Sequence, residues 1–496
     1  MDVTAIRSFV GGATHAGDGE RVELLDPASG RPWAAAVLDP ASAGDAVVAA
    51  TAAQPAWGAR AGWERATVLR ALADLIPRHA DELGELEMRA NGKPLAATRA
   101  EMQALARWYH FYAAAAETAE DRLRRLGPVA HAEVLEEPIG VVLAITPFNG
   151  AASLGSWKVA PALAAGNAVV LKPPPTAAAS SVRLAELALE AGLPAGVLNV
   201  VVADAATGER LVRDARVGMV TFTGSTAVAL RLGAIAGGRM ARFACEAGGK
   251  SAHVVFGDAD VDSALVAARQ GAFSATGQTC VAGSRLLVHD DVFDAFAERF
   301  AASAARLRVG DPRSPATHLG PLASAQQLDR VRGYVQRAVA AGARVLTGGE
   351  SLAQPGELAG GYWYAPTVLS DVTPDMEICR EEVFGPVTTL QRFWTEDEAV
   401  ALANDVQFGL AAGLWTRDAA RAHRVSRRLA AGTVWVNTYR AIDWRVPFGG
   451  YKQSGLGREN GLEALREHTQ VKAVVTGFGP AADPFPDDIP SPTTTR

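Results

Sequence analysis

Cys280 ends the segment Gly277-Gln278-Thr279-Cys280, which closes a helical pattern and runs on into Val-Ala-Gly-Ser-Arg. A thiolate is the most nucleophilic group a side chain offers near neutral pH, although a free thiol with a pKa of about 8.5 is mostly protonated there. Thiol attack on a carbonyl needs two more groups. One is a base that takes a proton and later activates water; the other is a donor for the developing oxyanion. Glu246 stands in Cys245-Glu246-Ala247-Gly248-Gly249-Lys250, and Asn149 in Ile145-Thr146-Pro147-Phe148-Asn149-Gly150. Two more dense segments follow: Glu381-Glu382-Val383-Phe384-Gly385-Pro386-Val387 and the glycine-rich run from Pro447 to Asn460. Neighbours on a strand point to opposite faces, so Cys245 and Glu246 are not expected to serve one site together.

These segments sit on a regular scaffold. Val68, Leu69, Leu72, Leu75 and Ile76 recur at helical spacing after Trp63, and a second helical stretch runs from Asp81 to Ala90. The first 60 residues show weak periodicity, and Arg122 to Glu137 reads as extended and outside the main body. From Gly140 short apolar runs alternate with helical patterns: Val141–Ile145, Ala168–Leu171, Val197–Val202 and Met219–Thr223 read as strands. That alternation predicts βαβ units and a parallel sheet. Gly224-Ser225-Thr226 follows the fourth strand, where free backbone N–H groups at a helix start suit a phosphate. A second α/β pattern begins near residue 255, with helices over 265–273, 292–307 and 328–339 and a strand at 285–288.

Composition narrows the function. The 496 residues are 49% hydrophobic and 21% charged, a globular balance that excludes a largely disordered chain. A net charge of −6 leaves no basic field for nucleic acid or anionic lipid. No apolar run reaches the roughly 18 residues that span a bilayer. The amino terminus lacks a basic segment followed by an apolar stretch, and the three Cys form no disulfide framework, so a cytoplasmic protein is expected. The nine His show no zinc spacing, and no metal is expected. Only six of the 48 basic residues are Lys (Lys93, Lys158, Lys172, Lys250, Lys452 and Lys472), which marks positions where an ammonium, not a guanidinium, is a candidate need.

In their order and separations, the five segments resemble the aldehyde dehydrogenase superfamily, over roughly residues 20 to 475. The resemblance implies oxidation of an aldehyde to its acid with NAD or NADP. It makes Cys280 the nucleophile, Glu246 the base and Asn149 the oxyanion donor. Lys158 matches a lysine near the active site. On the cofactor, Lys172 matches the adenosine-ribose lysine, Gly224 and Ser225 the pyrophosphate contacts, Glu382 the nicotinamide-ribose carboxylate with Phe384 beside it, and Thr146 and Phe148 the nicotinamide end. Glu246 argues against acyl transfer to coenzyme A, which has no use for a water-activating carboxylate. The fold implied is α/β: a Rossmann-like cofactor domain over 1–121 and 140–253, and a catalytic α/β domain over 254–452. A small β oligomerisation segment over 122–139 and 471–483 and a tail over 484–496 complete it. A homodimer or homotetramer is expected by analogy.

Three departures from the family pattern matter. Pro175 stands where a ribose-binding Glu is usual, so a 2′-phosphate meets no carboxylate and both NAD and NADP are expected to serve. Ala229 replaces a second loop Gly, a change a slight helix shift absorbs. Gly150 stands where an aromatic often lines the substrate tunnel, which should widen its mouth. Trp157 matches a tunnel wall, and Asn437–Trp444 should form the far side. Arg440 and Arg445 are candidates for a substrate carboxylate, although the plainer expectation pairs both with local acids such as Asp443 or with solvent.

Overall fold

The computed structural model describes residues 5–17 and 19–479. The expected tail over 484–496 and the end of the 471–483 segment lie outside the described residues.

One half is built on an eight-stranded sheet. Its parallel core runs Arg242–Glu246, Val217–Thr223, Val141–Ile145, Ala168–Lys172, Leu198–Val200. Counted along the chain, this order is fifth, fourth, first, second, third. The winding therefore reverses between Val141–Ile145 and Val217–Thr223, and the crevice at the carboxyl ends of strands flanking such a reversal is where ligands bind. Those ends deliver Thr146, Lys172 and Gly224 to one rim. The short strand Gly455–Leu456 pairs antiparallel on the far edge, with Gly455 opposite Glu246. The glycine-rich run thus returns from the chain's end to the strand that carries Glu246.

The second half holds a seven-stranded sheet, parallel except for its edge strand Arg344–Thr347. Its strands Ala252–Val255 and Arg285–His289 flank the helix Val261–Phe273, after which Cys280 emerges. A third sheet joins Arg122–Arg125, Ala130–Pro138 and Thr469–Gly477. Arg122 to Glu137 is therefore extended, as its lack of helical period suggested. Leu123, Val471 and Val475 on this sheet, and Phe478 just past its end, are each more than 60% exposed.

Two long helices escape the periodicity reading. Pro40–Gly58 is so rich in Ala that its buried stripe is chemically faint; Asp39 caps it by accepting from Ala41 N–H, and Pro40 opens it. Leu95–Glu117 spans 23 residues and turns Trp108, Tyr109 and Tyr112 inward. It packs on the helix Ala151–Ala164, which carries Trp157 and Lys158. No helix among the described residues is long and apolar enough to cross a membrane.

Candidate active site

Cys280 follows three successive residues in the left-handed backbone region: Ala275 (φ 54°), Thr276 (φ 56°) and Gly277 (φ 70°). For Ala and Thr this conformation is strained, and the surroundings hold it. Thr276 Oγ1 donates to Gly320 O at 3.0 Å, and Gln278 Oε1 accepts from Ala323 N–H at 2.9 Å. A Cβ at Gly277 would lie 2.0 Å from Gly385 O, so glycine alone lets the Cys280 loop touch the Glu382 segment backbone to backbone.

Asn149 sits in the single turn Phe148–Gly150 behind the strand Val141–Ile145. Its Nδ2 donates to Gln278 O at 3.0 Å. That bond uses one of the amide's two protons and leaves the other for a ligand. Asn149, Trp157, Arg440 and Cys280 line one cavity. Gly150 is buried, and a Cβ on it would approach Ser153 and Leu154, which line the same cavity.

Glu246 ends its strand 3% exposed, and its Oε2 has no partner. A Cβ at Gly449 would lie 2.7 Å from Glu246 Oε1, and one at Gly455 3.2 Å from Oε2. These glycines leave room for the carboxylate. Burial raises the Glu246 pKa well above the usual range, and the nearby Glu459 carboxylate adds to the rise. Lys158 opposes it. Lys158 Nζ donates to Glu459 and, at 3.3 Å, to Thr221 Oγ1. Lys158 and Arg458 offset burial and the Glu459 charge only in part, so the protonated form of Glu246 is favoured. Glu459 is the participant that sequence reasoning passed over. Its signal was available: an acidic residue in a glycine-rich crossing segment, answering one of only six lysines.

Burial pushes the Cys280 thiol up to about 12, with the Glu382 and Glu246 carboxylates adding to the shift and Arg440 opposing it. The resting group is thus the thiol, and attack requires a proton acceptor. Cys245 lines a separate groove with Thr226, Ala229 and Leu456, on the other side of the strand from Glu246's pocket.

The remaining residues lie at, or meet, the segments that follow the parallel strands of the eight-stranded sheet. Glu382 accepts from Gly249 N–H at 2.9 Å, and burial pushes it up to about 7. Phe384 (φ 60°) meets Phe148 edge-on, with ring centroids 5.7 Å apart. Burial lowers Lys172 to about 8, partly offset by Asp204. Its stem runs over Gly208, where a Cβ would come within 3.2 Å. Ser225 stands at the N-cap of Thr226–Gly237 but makes no side-chain cap bond, and Thr146 Oγ1 is buried without a partner. An uncapped helix start, an orphaned hydroxyl, a buried lysine and a buried carboxylate fit the phosphates and riboses of a dinucleotide. No group of three or more His, Cys, Asp or Glu among the described residues could hold a metal ion.

Arg445 does not reach the cavity. It is exposed and pairs with Asp443 at 2.7 Å. Arg440 departs from that plainer expectation: it lines the cavity, and its buried Nη1 has no partner. Tyr439 is buried, and its hydroxyl donates to Val281 O at 3.0 Å, one residue beyond the thiol.

The chain is similar to known proteins over most of its length. A betaine aldehyde dehydrogenase of Cereibacter sphaeroides is 42% identical over 469 residues, covering 94% of this chain and 96% of that one. The crystal structure of a betaine aldehyde dehydrogenase from Staphylococcus aureus, in complex with NAD+, superposes with a TM-score of 0.93 at 31% identity, covering 96% of this chain and 95% of that one. PnpE from Pseudomonas sp. WBC-3 gives 0.94 at 37% identity, covering 97% and 99%. The aldehyde dehydrogenase family matches residues 14–474, and the chain belongs to it.

Proposed function

We propose that this chain oxidises an aldehyde to its carboxylic acid with NAD+ or NADP+, through a thiohemiacetal and then a thioester on Cys280. The observation that carries the reading is one buried constellation. A thiol and an amide donor share a cavity, and a buried carboxylate with a free oxygen lies close enough to shift that thiol.

The thiol's proton leaves for Glu246, and Sγ bonds to the carbonyl carbon. The oxygen gains the negative charge, and Asn149 Nδ2 and the Cys280 backbone N–H stabilise it. When bound, the dinucleotide supplies the acceptor for the hydride that leaves this carbon, and the thioester remains on Cys280. Lys172, Gly224 and Ser225 would hold its adenosine and pyrophosphate end. Thr146, Phe148, Glu382 and Phe384 would hold the nicotinamide end. Glu246 then takes a proton from water, which attacks the thioester, and Sγ departs with a proton as the acid forms. The thiol's proton has left Glu246 by way of Glu459 and Lys158 before that water is activated.

Asn149→Ala should lower kcat by about 100- to 1,000-fold, the usual loss when one oxyanion donor is removed. KM should change little, because the charge it meets develops only after attack. A steady-state comparison with equal kcat would exclude Asn149 as the donor.

The cofactor reading follows from Pro175, which opens the short turn Pro175–Ala177 after Lys172. Both nucleotides should support turnover. A several-thousand-fold preference for NAD in kcat/KM would overturn dual use. The domain division given above belongs to the same proposal, as does a dimer or tetramer built through the exposed three-stranded sheet, whose open edges invite pairing.

A further inference from the structure

The cavity that leads to Cys280 has a volume of about 870 Å³, its open mouth included. Three charged side chains line it: Lys93, Glu101 and Arg440. Lys93 Nζ donates to both oxygens of Glu101, at 3.1 and 2.9 Å, so these two charges neutralise each other. Arg440 is different. Its Nη1 is buried and makes no hydrogen bond. An unpaired guanidinium nitrogen withdrawn from water is unfavourable unless something supplies an acceptor.

The protein holds Arg440 in place at some expense. Its backbone is left-handed (φ 61°), a conformation a long side chain rarely adopts. Ile442 N–H donates to its carbonyl at 2.9 Å, and the preceding Tyr439 is anchored to Val281. Glu101 and Cys280 both oppose the lowering that burial imposes on the Arg440 pKa, so its charge is felt at the nucleophile.

We propose that this cavity takes an aldehyde bearing a carboxylate at the end remote from the reacting carbonyl, and that Arg440 recognises that carboxylate. The proposal rests on the aldehyde-oxidising reading above. A guanidinium presents parallel N–H donors that match the two oxygens of a carboxylate. The linker between the two ends would lie along Trp108 and Trp157, stacked at 5.6 Å, and Phe448, 5.5 Å from Trp157. Such walls also suit a trimethylammonium group through cation–π attraction, and betaine aldehyde carries one. The charges decide between the two. Glu101 is already held by Lys93, and the remaining charge on the lining is the Arg440 cation, whose buried Nη1 repels a second cation.

The test measures kcat/KM on the full chain with cofactor, for succinic, glutaric and adipic semialdehydes, each beside its methyl ester, and for betaine aldehyde. At one chain length at least, the acid should exceed its ester by on the order of 100-fold. Arg440→Gln should cut that ratio about ten-fold or more, chiefly through the KM of the acid. Arg440→Lys should keep part of it. Should the Gln variant fail to fold, the wild-type ratio and the Lys variant decide. Esters that equal acids at every length, a ratio unchanged in Arg440→Gln, or betaine aldehyde as the best substrate would each overturn the proposal and leave aldehyde oxidation standing. No turnover of any aldehyde would overturn both.

Discussion

Replacing Cys280 with Ala should reduce aldehyde-dependent nicotinamide reduction by about four orders of magnitude or more. The mechanism has no second thiol to fall back on. Cys245 is on the strand beside Glu246 but opens into a different groove, and Cys379 is buried in the second half's core. The Cys280 thiol makes no hydrogen bond to another described residue, and the left-handed turn before it is held by Thr276 and Gln278. The variant should therefore fold, melt within a few degrees of the parent and still bind the dinucleotide. Near-ultraviolet absorbance with an aldehyde panel reads the activity, and a melting curve with and without NAD+ reads the fold. Substantial turnover in a folded variant would remove Cys280 from the chemistry.

Glu246→Gln should separate the two halves of the reaction. Without a carboxylate to activate water, the thioester should persist on Cys280. A rapid-mixing trace should then show up to one equivalent of reduced nicotinamide per site, followed by a steady rate lower by about 100- to 10,000-fold. Intact-protein mass would show the retained acyl group. Because Glu246 also takes the thiol's proton, the first phase should slow as well, and its rate measures that share. The pH dependence has a definite sign. Glu246 acts as a base in its ionised form, and burial with Glu459 nearby raises its pKa. Steady-state turnover in the parent should therefore rise as pH rises through that ionisation and level off above it. The Gln variant should lose that rise. Undiminished steady turnover in Glu246→Gln would overturn its role. The amide keeps the side chain's shape in the space left by Gly449 and Gly455, so a folding defect is not the expected outcome.

Much of this site is legible along the chain because it is assembled from contiguous segments. Each of Cys280, Glu246, Asn149 and Glu382 stands in a short run with its own glycines, and those glycines fix how closely one segment approaches another. Gly277 against Gly385 and Gly455 against Glu246 are two such approaches. The βαβ texture after Gly140 likewise emerges from apolar runs alone, because both faces of a parallel sheet are covered. The two long amino-terminal helices did not emerge. In Pro40–Gly58 Ala recurs on the inward stripe and on the outer face alike, so too little contrast is left to show a period.

What sequence by itself determined was the chemistry available and the succession of strands along the chain that would carry it. Types, spacing and local periodicity are properties of neighbours in the chain, and local geometry translates them directly. Tertiary structure alone decided which distant groups share a field. Glu459 lies 213 positions beyond Glu246 in the chain, yet the antiparallel pairing of Gly455 with Glu246 brings its segment home and sets it on Lys158. The same holds for the two arginines of one loop. Arg440 and Arg445 are equivalent as letters, but Arg445 finds Asp443 two residues away while Arg440 turns into the cavity without a partner. Burial and pairing depend on the whole packed molecule, and with them the charge that a substrate meets.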